Sequence, residues 1–435
     1  MAAADGAGSW DSGHLKRVVA ASLIGTTVEW YDFFLYGSAA ALVFNKLFFP
    51  QYEPLTGTLL AFTTYALGFV ARPVGGIVFG HFGDRIGRKR LLMLSLVLMG
   101  LATTLIGLLP THAQIGIWAP IALVLLRLVQ GFAVGGEWGG AVLLAAEHGD
   151  ARRRGFWTSW PQAGVPAGLV LASGVLALMS SLQSDADFRA WGWRIPFLAS
   201  SILVAIGWWI RNSVAESRTF EQEIAATPPP KVPTFEVLSE RPGALLTGAG
   251  LRVGENISYY VITVFSITWI TEVAKLSRDA ALQAILIGSA IHFVAIPALG
   301  ALSDRIGRRI VYAIGGLGLA AFGFAFFPML ASGDRTHVVA AVVIALLLHG
   351  AMYGPQAAFI AELFPTRIRY SGASIAYQLT SIVAGSLAPI IALWLYQRSH
   401  SSTPVAIYVA LACAISGLTA LLARETKGVE LSDIR

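Results

Sequence analysis

Two charged stretches of nearly the same sequence decide how this chain is organised. Residues 80–90 read Gly-His-Phe-Gly-Asp-Arg-Ile-Gly-Arg-Lys-Arg, and residues 300–309 read Gly-Ala-Leu-Ser-Asp-Arg-Ile-Gly-Arg-Arg. Their shared Asp-Arg-Ile-Gly-Arg core begins at Asp84 and again at Asp304, 220 positions later (304 − 84), which is about half of the 435 residues. The match indicates two halves that share one topology.

A second pair of signatures repeats in the same order. Glu147 precedes Arg154 by seven residues, and Glu362 precedes Arg369 by seven. Two chance basic loops that only fix topology would not need the glycines and the aspartate that the first pair shares. We therefore interpret the chain as an internal duplication.

The composition assigns the chain to the membrane. Charged residues make up 13% and hydrophobic residues 55% of the sequence, and the mean hydropathy is +0.66. One water-soluble core could not bury so many apolar side chains. The net charge of +6 comes from basic residues in short loops, so we expect no nucleic-acid partner. Cys413 is the single cysteine, which excludes an intrachain disulfide and a paired-cysteine metal site.

The apolar stretches predict an all-α integral membrane protein with about twelve transmembrane helices in two pseudo-symmetric six-helix bundles. A bilayer core of about 30 Å requires about 20 residues of helix. Stretches of sufficient length, predicted helices 1 to 12 in chain order, fall near 18–44, 56–80, 90–110, 116–145, 155–182, 193–211, 243–271, 280–302, 310–331, 337–361, 371–397 and 404–423.

These stretches divide the chain into two bundles and a linker. Residues 1–211 form the predicted N-terminal bundle, in which residues 1–15 are a mobile tail, and residues 242–435 form the C-terminal bundle. Residues 212–241 are a predicted cytoplasmic linker that the prolines at 228–230 stiffen. No cleavage signature follows the first apolar run, so we expect a retained helix and not a signal peptide.

The basic residues predict the orientation. If the N-terminus is cytoplasmic, 21 lysines and arginines fall on the cytoplasmic side and 7 on the other, and the remaining three arginines lie inside helices. The positive-inside rule therefore places both termini and the linker in the cytoplasm.

Several motifs resemble those of the major facilitator superfamily. The repeated charged stretches stand where that superfamily has its loops after helices 2 and 8. Further motifs resemble those of one family within the superfamily, the metabolite:proton symporters. The stretches at 41–49 and 80–90 are similar to the branch of that family that carries shikimate. The motifs of the symporters lie at 29–37, 127–140, 192–197 and 362–372.

The resemblance covers nearly the whole chain and implies a function. It implies a monomeric transporter in a bacterial inner membrane that imports a small organic acid together with protons by alternating access. The proton gradient supplies the energy, so no cofactor, metal or enzymatic activity is expected. Shikimate, a dicarboxylate, a 2-oxoacid and an aromatic acid all fit a cavity that contains one or two arginines.

An acid–base cluster is predicted near the middle of the membrane. Glu29 and Asp32 are three residues apart on one face of helix 1, and Arg127 lies at a similar depth in helix 4. A deprotonated carboxylate would pair with Arg127, whereas a protonated one would release the guanidinium to a substrate carboxylate. A permanent ion pair that locks the two helices together is the alternative.

Helix 7 contains a second pair at the same spacing, Arg252 and Glu255. Either these residues satisfy each other, or Arg252 faces the cavity as a second anion site. His292 and His349 are imidazoles in the middle of their helices that could relay protons, although a lone helical histidine more often bonds a neighbour. Uncharged candidates for substrate contact, or for packing between helices, are Tyr353, Gln356, Tyr377 and Gln378.

A gating set is predicted from the repeated motifs. Glu137 stands among glycines that allow close helix approach, and a bond to Arg72 would give it a gating or structural role. The motifs resemble the cytoplasmic latch of the superfamily, in which an aspartate caps a neighbouring helix and arginines reach acids. The residues of this predicted latch are Asp84, Arg85, Gly87, Arg88, Glu147, Asp304, Arg305, Gly307, Arg308 and Glu362.

Other classes of protein fit the sequence less well. The chain contains no Gly-Lys dipeptide, which excludes a Walker-type ATPase loop, and no hydrolase or zinc motif is present. A drug/proton antiporter is the first alternative because residues 164–168 read Gly-Val-Pro-Ala-Gly, but two membrane arginines favour anionic substrates over lipophilic cations. Symport of a zwitterionic osmolyte is the second. The osmolyte-sensing branch of the family has a C-terminal coiled-coil extension, and we expect none after Arg424 in this chain.

Overall fold

The computed structural model describes residues 12–52, 54–212 and 233–434, and within these ranges the protein contains helices and no strands. The predicted tail therefore lies outside the described residues up to residue 11. The first helix begins at Ser12, so residues 12–15 belong to it and not to a tail. Most of the predicted linker, residues 213–232, also lies outside, and a short helix at Pro233–Glu240 follows it.

Twelve long helical segments cross the described structure. In the N-terminal half they are α1 (Ser12–Ala39, continued by Ala40–Phe44 and Asn45–Leu47), α2 (Pro54–Ile86), α3 (Arg88–Leu108), α4 (Trp118–His148), α5 (Arg154–Leu182) and α6 (Arg194–Asn212). In the C-terminal half they are α7 (Pro242–Tyr260, continued by Val261–Phe265 and Ser266–Glu272), α8 (Arg278–Ile306), α9 (Arg308–Leu330), α10 (Arg335–Ala361), α11 (Arg369–Thr380, continued by Ser381–Ser386 and Ala388–Ser399) and α12 (Thr403–Leu422).

The helices match the twelve predicted membrane spans. Ten of the described helices are long and apolar enough to cross a bilayer by length and composition alone. The other two, α5 and α7, hold buried polar side chains, among them Gln162 and Arg252. Large apolar side chains such as Trp209 and Leu422 are exposed on the outside, 72% and 87% respectively, as a lipid-facing surface requires.

The two halves repeat one architecture. In the N-terminal half α1 packs on α5 and α2 packs on α4, and in the C-terminal half the equivalent helices also pack on each other, α7 on α11 and α8 on α10. Both α1 and α7, the first helices of the halves, contain a π-helical turn, at Ala40–Phe44 and Val261–Phe265. These turns begin 221 positions apart (261 − 40), close to the offset of the charged motifs. Because π turns shift the register of a helix and are frequent at functional sites, they mark the cavity-lining helices.

Glycines bring α2 and α4 into backbone contact. A Cβ atom added to Gly131 would lie 2.0 Å from the Gly68 carbonyl oxygen, and one added to Gly135 would lie 2.1 Å from that of Arg72. Any larger residue at these positions would force the helices apart. The expected close approach at the glycine-rich stretch of α4 is therefore confirmed.

The repeated motifs form two sharp turns at the same face of the bundle. Gly87 separates α2 from α3 with φ of 104°, and Gly307 separates α8 from α9 with φ of 107°. Glycine adopts this backbone conformation without the strain that a Cβ atom would introduce. We call the end of the bundle that carries these turns the motif face. The halves meet there through α5 with α8 and α2 with α11.

Candidate functional site

A cavity inside the N-terminal half gathers the predicted acids and arginines. The structure brings Glu29, Asp32 and Arg127 together, and both carboxylates are buried, with 4% and 1% exposure. We call this space the N-half cavity. Its lining comes from α1 to α4 and consists of Glu29, Asp32, Phe33, Gly68, Arg72, Met99, Arg127, Gln130, Gly131 and Val134.

Asp32 reaches Arg127 through two intermediate side chains. Asp32 Oδ1 accepts a hydrogen bond from Ser200 of α6 (2.6 Å), and Oδ2 accepts one from Thr103 of α3 (2.7 Å). Thr103 Oγ1 accepts from Gln130 Nε2 (2.7 Å), and Gln130 Oε1 accepts from Arg127 Nη1 (3.1 Å). In the described contacts, hydroxyl groups of α3 and α6 bond the two carboxylate oxygens of Asp32, and the direct pairing of an α1 carboxylate with Arg127 stays a prediction.

Aromatic rings surround the arginines of the N-half cavity. The Arg127 guanidinium carbon lies 4.4 Å from the centroid of the Tyr36 ring, and that of Arg72 lies 4.4 Å from Phe69 and 4.7 Å from Phe33. Such contacts stabilise a cation without neutralising its charge. The rings therefore help to hold both guanidinium groups in place beside the cavity.

A second cavity lies between the halves, and we call it the central cavity. Trp30 of α1 and Val165 of α5 line it from the N-terminal half. From the C-terminal half it is lined by Arg252, Glu255, Asn256, Tyr259, Tyr260, His349, Tyr353 and Tyr377. A site with contributions from both halves changes its accessibility when the halves move relative to each other.

Arg252 and Glu255 pair with each other, and both also line the central cavity, while a role of Arg252 as an anion site stays a prediction. Arg252 Nη1 bonds Glu255 Oε2 within α7, and both side chains also line the central cavity. The Arg252 guanidinium carbon lies 3.3 Å from the centroid of the Tyr377 ring, and Gln356 Nε2 donates to Glu255 Oε2 (3.2 Å). The exposed fractions of Arg252 and Glu255 are 4% and 3%. The pair is therefore buried, oriented by neighbours, and adjacent to the space where a substrate would lie.

The two membrane histidines are part of the same cluster. His349 Nε2 bonds Glu255 Oε1 at 3.2 Å, and His349 Nδ1 bonds His292 Nε2 at 3.1 Å. Both imidazoles are buried, with 0% and 1% exposure. Each histidine therefore bonds another ionisable side chain of the cluster, and neither stands alone in its helix.

The uncharged candidates divide between the cavity and the packing. Tyr353 and Tyr377 line the central cavity with their hydroxyl groups 3.4 Å apart. Gln356 supports the cluster from behind by donating to Tyr312 Oη (2.9 Å) and to Glu255. Gln378 points elsewhere, because its Nε2 donates to the Gly135 carbonyl of α4 (3.2 Å). For Gln378 the described contact therefore agrees with packing between helices and not with substrate contact.

Two buried ion pairs join the halves at the motif face. Arg154 of α5 donates to Glu362 at the C-terminal cap of α10 (2.8 Å), and Arg369 of α11 donates to Glu147 of α4 (3.2 Å). Each pair combines one residue from each half, and the exposed side-chain fraction of all four is 2% or less. The prediction placed Glu147 and Glu362 in the latch. The sequence identified their partners, Arg154 and Arg369, only as members of the repeated Glu/Arg signature.

The C-terminal copy of the charged motif closes the same interface. Asp304 accepts from the backbone N–H groups of Gly155 (2.9 Å) and Phe156 (2.8 Å) at the start of α5, as an aspartate does at a helix N-terminus. Arg308 donates to Asp304 (2.6 Å) and lies 3.5 Å from Glu362. This copy therefore has the geometry of the expected latch.

Other members of the predicted latch take different positions. The side chains of Asp84 and Arg88 lie outside the described part of the structure. Arg85 is exposed, and its Nη1 lies 3.4 Å from His81 Nε2. Arg305 is exposed as well, and the described bond of Arg305 is made by its carbonyl oxygen, which accepts from Lys427 Nζ (2.5 Å). Arg305 therefore does not reach a latch acid here, because it points to the outer surface of α8.

Glu137 is buried in α4 and accepts a hydrogen bond from Ser95 of α3 (2.8 Å). Its expected bond to Arg72 stays a prediction. The contacts place Glu137 among the helices of the N-terminal half, in agreement with a structural or gating role.

Several residues of the site were not identifiable from the sequence. Thr103, Ser200 and Gln130 connect the charged groups of the N-half cavity, and Trp138 stacks on Tyr377 with 3.8 Å between ring centroids. Single hydroxyl and amide side chains occur in most membrane helices, so no pattern distinguishes these from the rest. Among the described residues, no group of three His, Cys, Asp or Glu could hold a metal ion.

A duplicated twelve-helix bundle with charged cavities near its centre is typical of alternating-access transporters. The comparison with known families agrees with this class. The Major Facilitator Superfamily profile matches residues 22–389 and 257–433. The chain belongs to this superfamily, and it is a membrane transporter and not an enzyme.

Curated relatives narrow the group of similar proteins. The chain is 43% identical to the shikimate transporter of Escherichia coli (strain K12) over 95% of both chains. It is 42% identical to the inner membrane metabolite transport protein YhjE of the same strain, over 95% of this chain and 94% of that one. The proline/betaine transporter of that strain is 34% identical, over 96% of this chain and 85% of its own length.

Solved structures confirm the fold. The proton:xylose symporter XylE bound to 6-bromo-6-deoxy-D-glucose superimposes with a TM-score of 0.79 at 17% identity, over 98% of this chain and 99% of that one. The inward open conformation of XylE from E. coli gives a TM-score of 0.66 over 97% and 99%. At this identity the similarity concerns the fold alone, so the site has to be argued from the residues of this chain.

Proposed function

We propose that this protein is a symporter that imports a small organic acid together with protons. The observation that supports this most is the linkage of two buried arginines to two buried carboxylates. Arg127 is linked to Asp32 through hydrogen bonds, and Arg252 pairs with Glu255 directly. A charge in the middle of a bilayer costs about 2.5–3.5 kcal/mol on insertion scales, so such groups are retained where they have a function.

The chemistry of coupling follows from this arrangement. A proton that neutralises a carboxylate removes the negative partner of the nearby arginine. The guanidinium can then bind a substrate carboxylate by two parallel hydrogen bonds. Release of the substrate into the cytoplasm and loss of the proton restore the original pairs, which couples the two movements.

The lining of the central cavity favours a ring that carries hydroxyl groups and a carboxylate. The phenol groups of Tyr353 and Tyr377 can bond hydroxyls, and their ring faces can pack on carbon atoms. Arg252 would bind the carboxylate. Shikimate has these features, and the similarity to the shikimate transporter supports it as the first substrate to test.

A zwitterionic osmolyte is the second candidate substrate. The central cavity contains several aromatic rings next to Glu255, and aromatic faces bind quaternary ammonium groups. The 34% identity to the proline/betaine transporter agrees with that alternative. A lipophilic cation, as in drug antiport, is disfavoured because both cavities contain arginines.

We further propose that the motif face is cytoplasmic, that both termini lie on that side of an inner membrane, and that the monomer is functional. The loop charges of the sequence and the similarity to inner membrane transporters support this orientation. With the halves joined at the motif face, the described state is closed to the cytoplasm.

Thermal stabilisation of the purified protein tests the substrate class. A bound compound raises the melting temperature because it stabilises the folded state by RT ln(1 + [L]/Kd). We expect stabilisation by shikimate and none by its methyl ester, which has the same ring without the carboxylate charge. Succinate, pyruvate and benzoate test the other acids, and glycine betaine tests the zwitterion. Stabilisation by glycine betaine alone would overturn the organic-acid proposal.

Transport in liposomes tests the coupling. Shikimate should accumulate when the pH is lower outside than inside, and it should only equilibrate when the pH values are equal. Accumulation that persists unchanged without a pH difference, or that depends on an added sodium gradient, would exclude proton symport.

A further inference from the structure

Four side chains form a continuous hydrogen-bonded chain through the C-terminal half. It runs from Arg252 to Glu255, then to His349 of α10 and His292 of α8. His349 Nε2 lies 3.2 Å from Glu255 Oε1, and His349 Nδ1 lies 3.1 Å from His292 Nε2. All four are buried. In the N-half cavity, by contrast, the described connection from Asp32 to Arg127 uses a hydroxyl and an amide, which do not take up protons at physiological pH.

The contacts assign the hydrogen atoms of both imidazoles. The Glu255 carboxylate accepts hydrogen bonds from Arg252 and Gln356, so His349 Nε2 must donate to its other oxygen. In a neutral imidazole the second nitrogen is then an acceptor, so His349 Nδ1 accepts and His292 Nε2 donates. His292 Nδ1 therefore carries no hydrogen. It is buried and has no hydrogen-bond partner among the described residues.

We propose that His292 and His349 are a proton relay that protonates Glu255 and thereby releases Arg252 to the substrate. This inference rests on the proposed proton symport. It assigns a second coupling site in the C-terminal half, separate from Asp32.

Each transfer along the relay forms one bond and breaks one. A proton binds to His292 Nδ1, and the proton on His292 Nε2 passes to His349 Nδ1. The proton on His349 Nε2 then passes to Glu255 Oε1, which leaves both imidazoles neutral in their other tautomer. The first tautomers return when the transfers run in reverse: the proton on Glu255 Oε1 passes to His349 Nε2, the proton on His349 Nδ1 passes to His292 Nε2, and His292 Nδ1 releases its proton. The relay therefore takes up and releases one proton per cycle.

The surroundings of the relay contain few other titratable groups. Tyr259 of α7 packs on both rings, at 5.1 Å from His349 and 6.3 Å from His292, and Tyr353 of α10 lies 5.4 and 6.5 Å from them. The phenols of Tyr260, Tyr377 and Tyr312 approach Glu255 and Arg252 from α7, α11 and α9, and the thiol of Cys413 approaches Glu255 from α12. Phenols remain neutral near physiological pH. Glu255 is thus the proton acceptor that the described contacts offer to the relay.

The experiment follows the protonation of Glu255 without any substrate. Purified full-length protein is moved from about pH 8 to about pH 5.5, where imidazoles take up protons. The carboxylic-acid C=O band is then recorded by time-resolved infrared spectroscopy. Glu255→Gln identifies the band, because that variant lacks it. We expect His292→Gln to slow the appearance of the band at least tenfold and to leave its final amplitude nearly unchanged. His337→Gln, a change at an exposed histidine (60% side-chain exposure), is the matched control.

The outcomes separate the relay from the function on which it rests. An unchanged rate in both His292→Gln and His349→Gln would overturn the relay, even if transport proves to be proton-coupled. If the band appears more slowly in His292→Gln but transport does not depend on a pH gradient, the relay is supported and the proposed proton symport is excluded. If His292→Gln does not fold, His292→Asn provides the same test with a smaller side chain.

A different observation concerns residues 424–434, which we call the C-terminal clasp. Glu425 accepts from the first N–H groups of α9, at Arg308 (3.0 Å) and Arg309 (3.3 Å), and so fixes the clasp to the C-terminal half. The clasp then crosses the motif face. Leu431 is 95% buried by α4, α10 and α11, among Leu143, Ala146, Ala361 and Tyr370.

The clasp also bonds the residues that join the halves. Arg154 donates to the Val429 carbonyl (2.9 Å), Arg369 donates to the Leu431 carbonyl (3.0 Å), and Thr426 donates to Glu362 (2.5 Å). Contacts to α4 and α5 exist only while the halves meet at the motif face. We infer that the clasp stabilises the state that is closed at this face.

Labelling of a buried cysteine tests the clasp. In a Cys413→Ala background, Ala146→Cys reports opening of the motif face through its rate of reaction with a membrane-permeant maleimide. We expect Leu431→Asp to raise this rate about tenfold or more, because a charge there opposes the closed packing. Ser432→Asp, which adds the same charge at the exposed next residue, should leave it unchanged.

An equal rate in the Leu431→Asp variant and the parent would overturn the inference. Leu431→Ala is the second variant, for use if the aspartate prevents accumulation of the protein. It should raise the rate severalfold, since it removes buried contacts from the closed state alone.

Discussion

Arg154 of α5 donates a 2.8 Å hydrogen bond to Glu362, the residue that follows α10, and so joins the two halves of the protein across the motif face. The reciprocal pair, Arg369 with Glu147, is its counterpart under the duplication. Both pairs are buried, so each charge depends on its partner for solvation.

Loss of the Glu362 carboxylate should open the motif face. Glu362→Gln leaves Arg154 and Arg308 without that anion, and an uncompensated buried charge costs about 3–5 kcal/mol. Water relieves this cost when the halves separate, so we expect the labelling rate of Ala146→Cys to rise about tenfold or more. Asp334→Asn, an exposed acid before α10, is the control. Equal labelling of both variants would contradict a gating role for the pair.

The capping contact of Asp304 predicts a smaller effect in the same direction. Asp304→Asn keeps the size of the side chain but weakens its hydrogen bonds to the start of α5, which are worth about 1–2 kcal/mol at a helix N-terminus. The labelling rate of Ala146→Cys should rise severalfold while the affinity for shikimate in the state open to the other side is retained. Because the motif is duplicated, Asp84→Asn should act alike. A loss of affinity with no change in labelling would contradict this assignment.

The orientation can be measured with two single cysteines in the Cys413→Ala background. A cysteine at position 88, at the start of α3, should react with an impermeant reagent only from the cytoplasm. A cysteine at position 112, in the short helix His112–Ile115 between α3 and α4, should react only from outside. Reaction of both from one side would contradict the twelve-helix topology.

Arg127→Lys should fold but lose most uptake driven by a pH gradient. Lysine retains the charge, but it lacks the planar fork that holds a carboxylate by two hydrogen bonds. Shikimate uptake into liposomes measures this effect. Arg194→Lys is the matched control, because Arg194 hydrogen-bonds the backbone carbonyls of Gly107 and Leu109, lies 4.5 Å from the Trp193 ring centroid and is not among the lining residues of either cavity. Normal uptake by the Arg127 variant would remove this residue from the mechanism.

Asp32→Asn should separate exchange from accumulation. The asparagine imitates the protonated acid, so labelled shikimate should still exchange across the membrane while accumulation against its gradient is lost. If accumulation persists in Asp32→Asn and is lost in Glu255→Gln, the coupling proton binds in the C-terminal half. Persistence in both variants would exclude both carboxylates as coupling sites.

Thr103→Val tests the hydrogen-bonded connection in the N-half cavity. Valine has nearly the same shape but cannot bond Asp32 or Gln130, so the two charges lose their link with no change in net charge. We expect pH-driven uptake to fall about tenfold or more, because a hydrogen bond to a charged group contributes about 1.5–3 kcal/mol. Thr104→Val, whose hydroxyl bonds only the Gly100 carbonyl in the described contacts, should transport normally.

The architecture was readable from the sequence because the membrane imposes simple rules. Spans of apolar residues predicted the twelve helices, and the two copies of the charged motif predicted the duplication. The glycines of α4 predicted close packing on α2. These features depend on local composition and spacing, since every helix in a bilayer satisfies its own backbone hydrogen bonds.

The partners of the charged residues were less predictable. Sequence spacing placed Glu29 and Asp32 on one face of α1, but it could not reveal that Ser200 and Thr103 would bond Asp32. Arg154 and Arg369 were visible as part of a repeat, and their pairing across the halves was not. Arg305 belongs to the motif by sequence and points to the outer surface in the structure.

The sequence by itself determined the membrane location, the number of helices, their order and the positions of the charges along each helix. Only the tertiary structure decided which charges meet: Glu255 with His349 and His292 in one half, and Arg154 with Glu362 between the halves. The physical reason is that hydrophobic length and periodicity act within one helix. Hydrogen bonds between buried polar groups depend on the rotation and depth of several helices at once, which packing alone fixes.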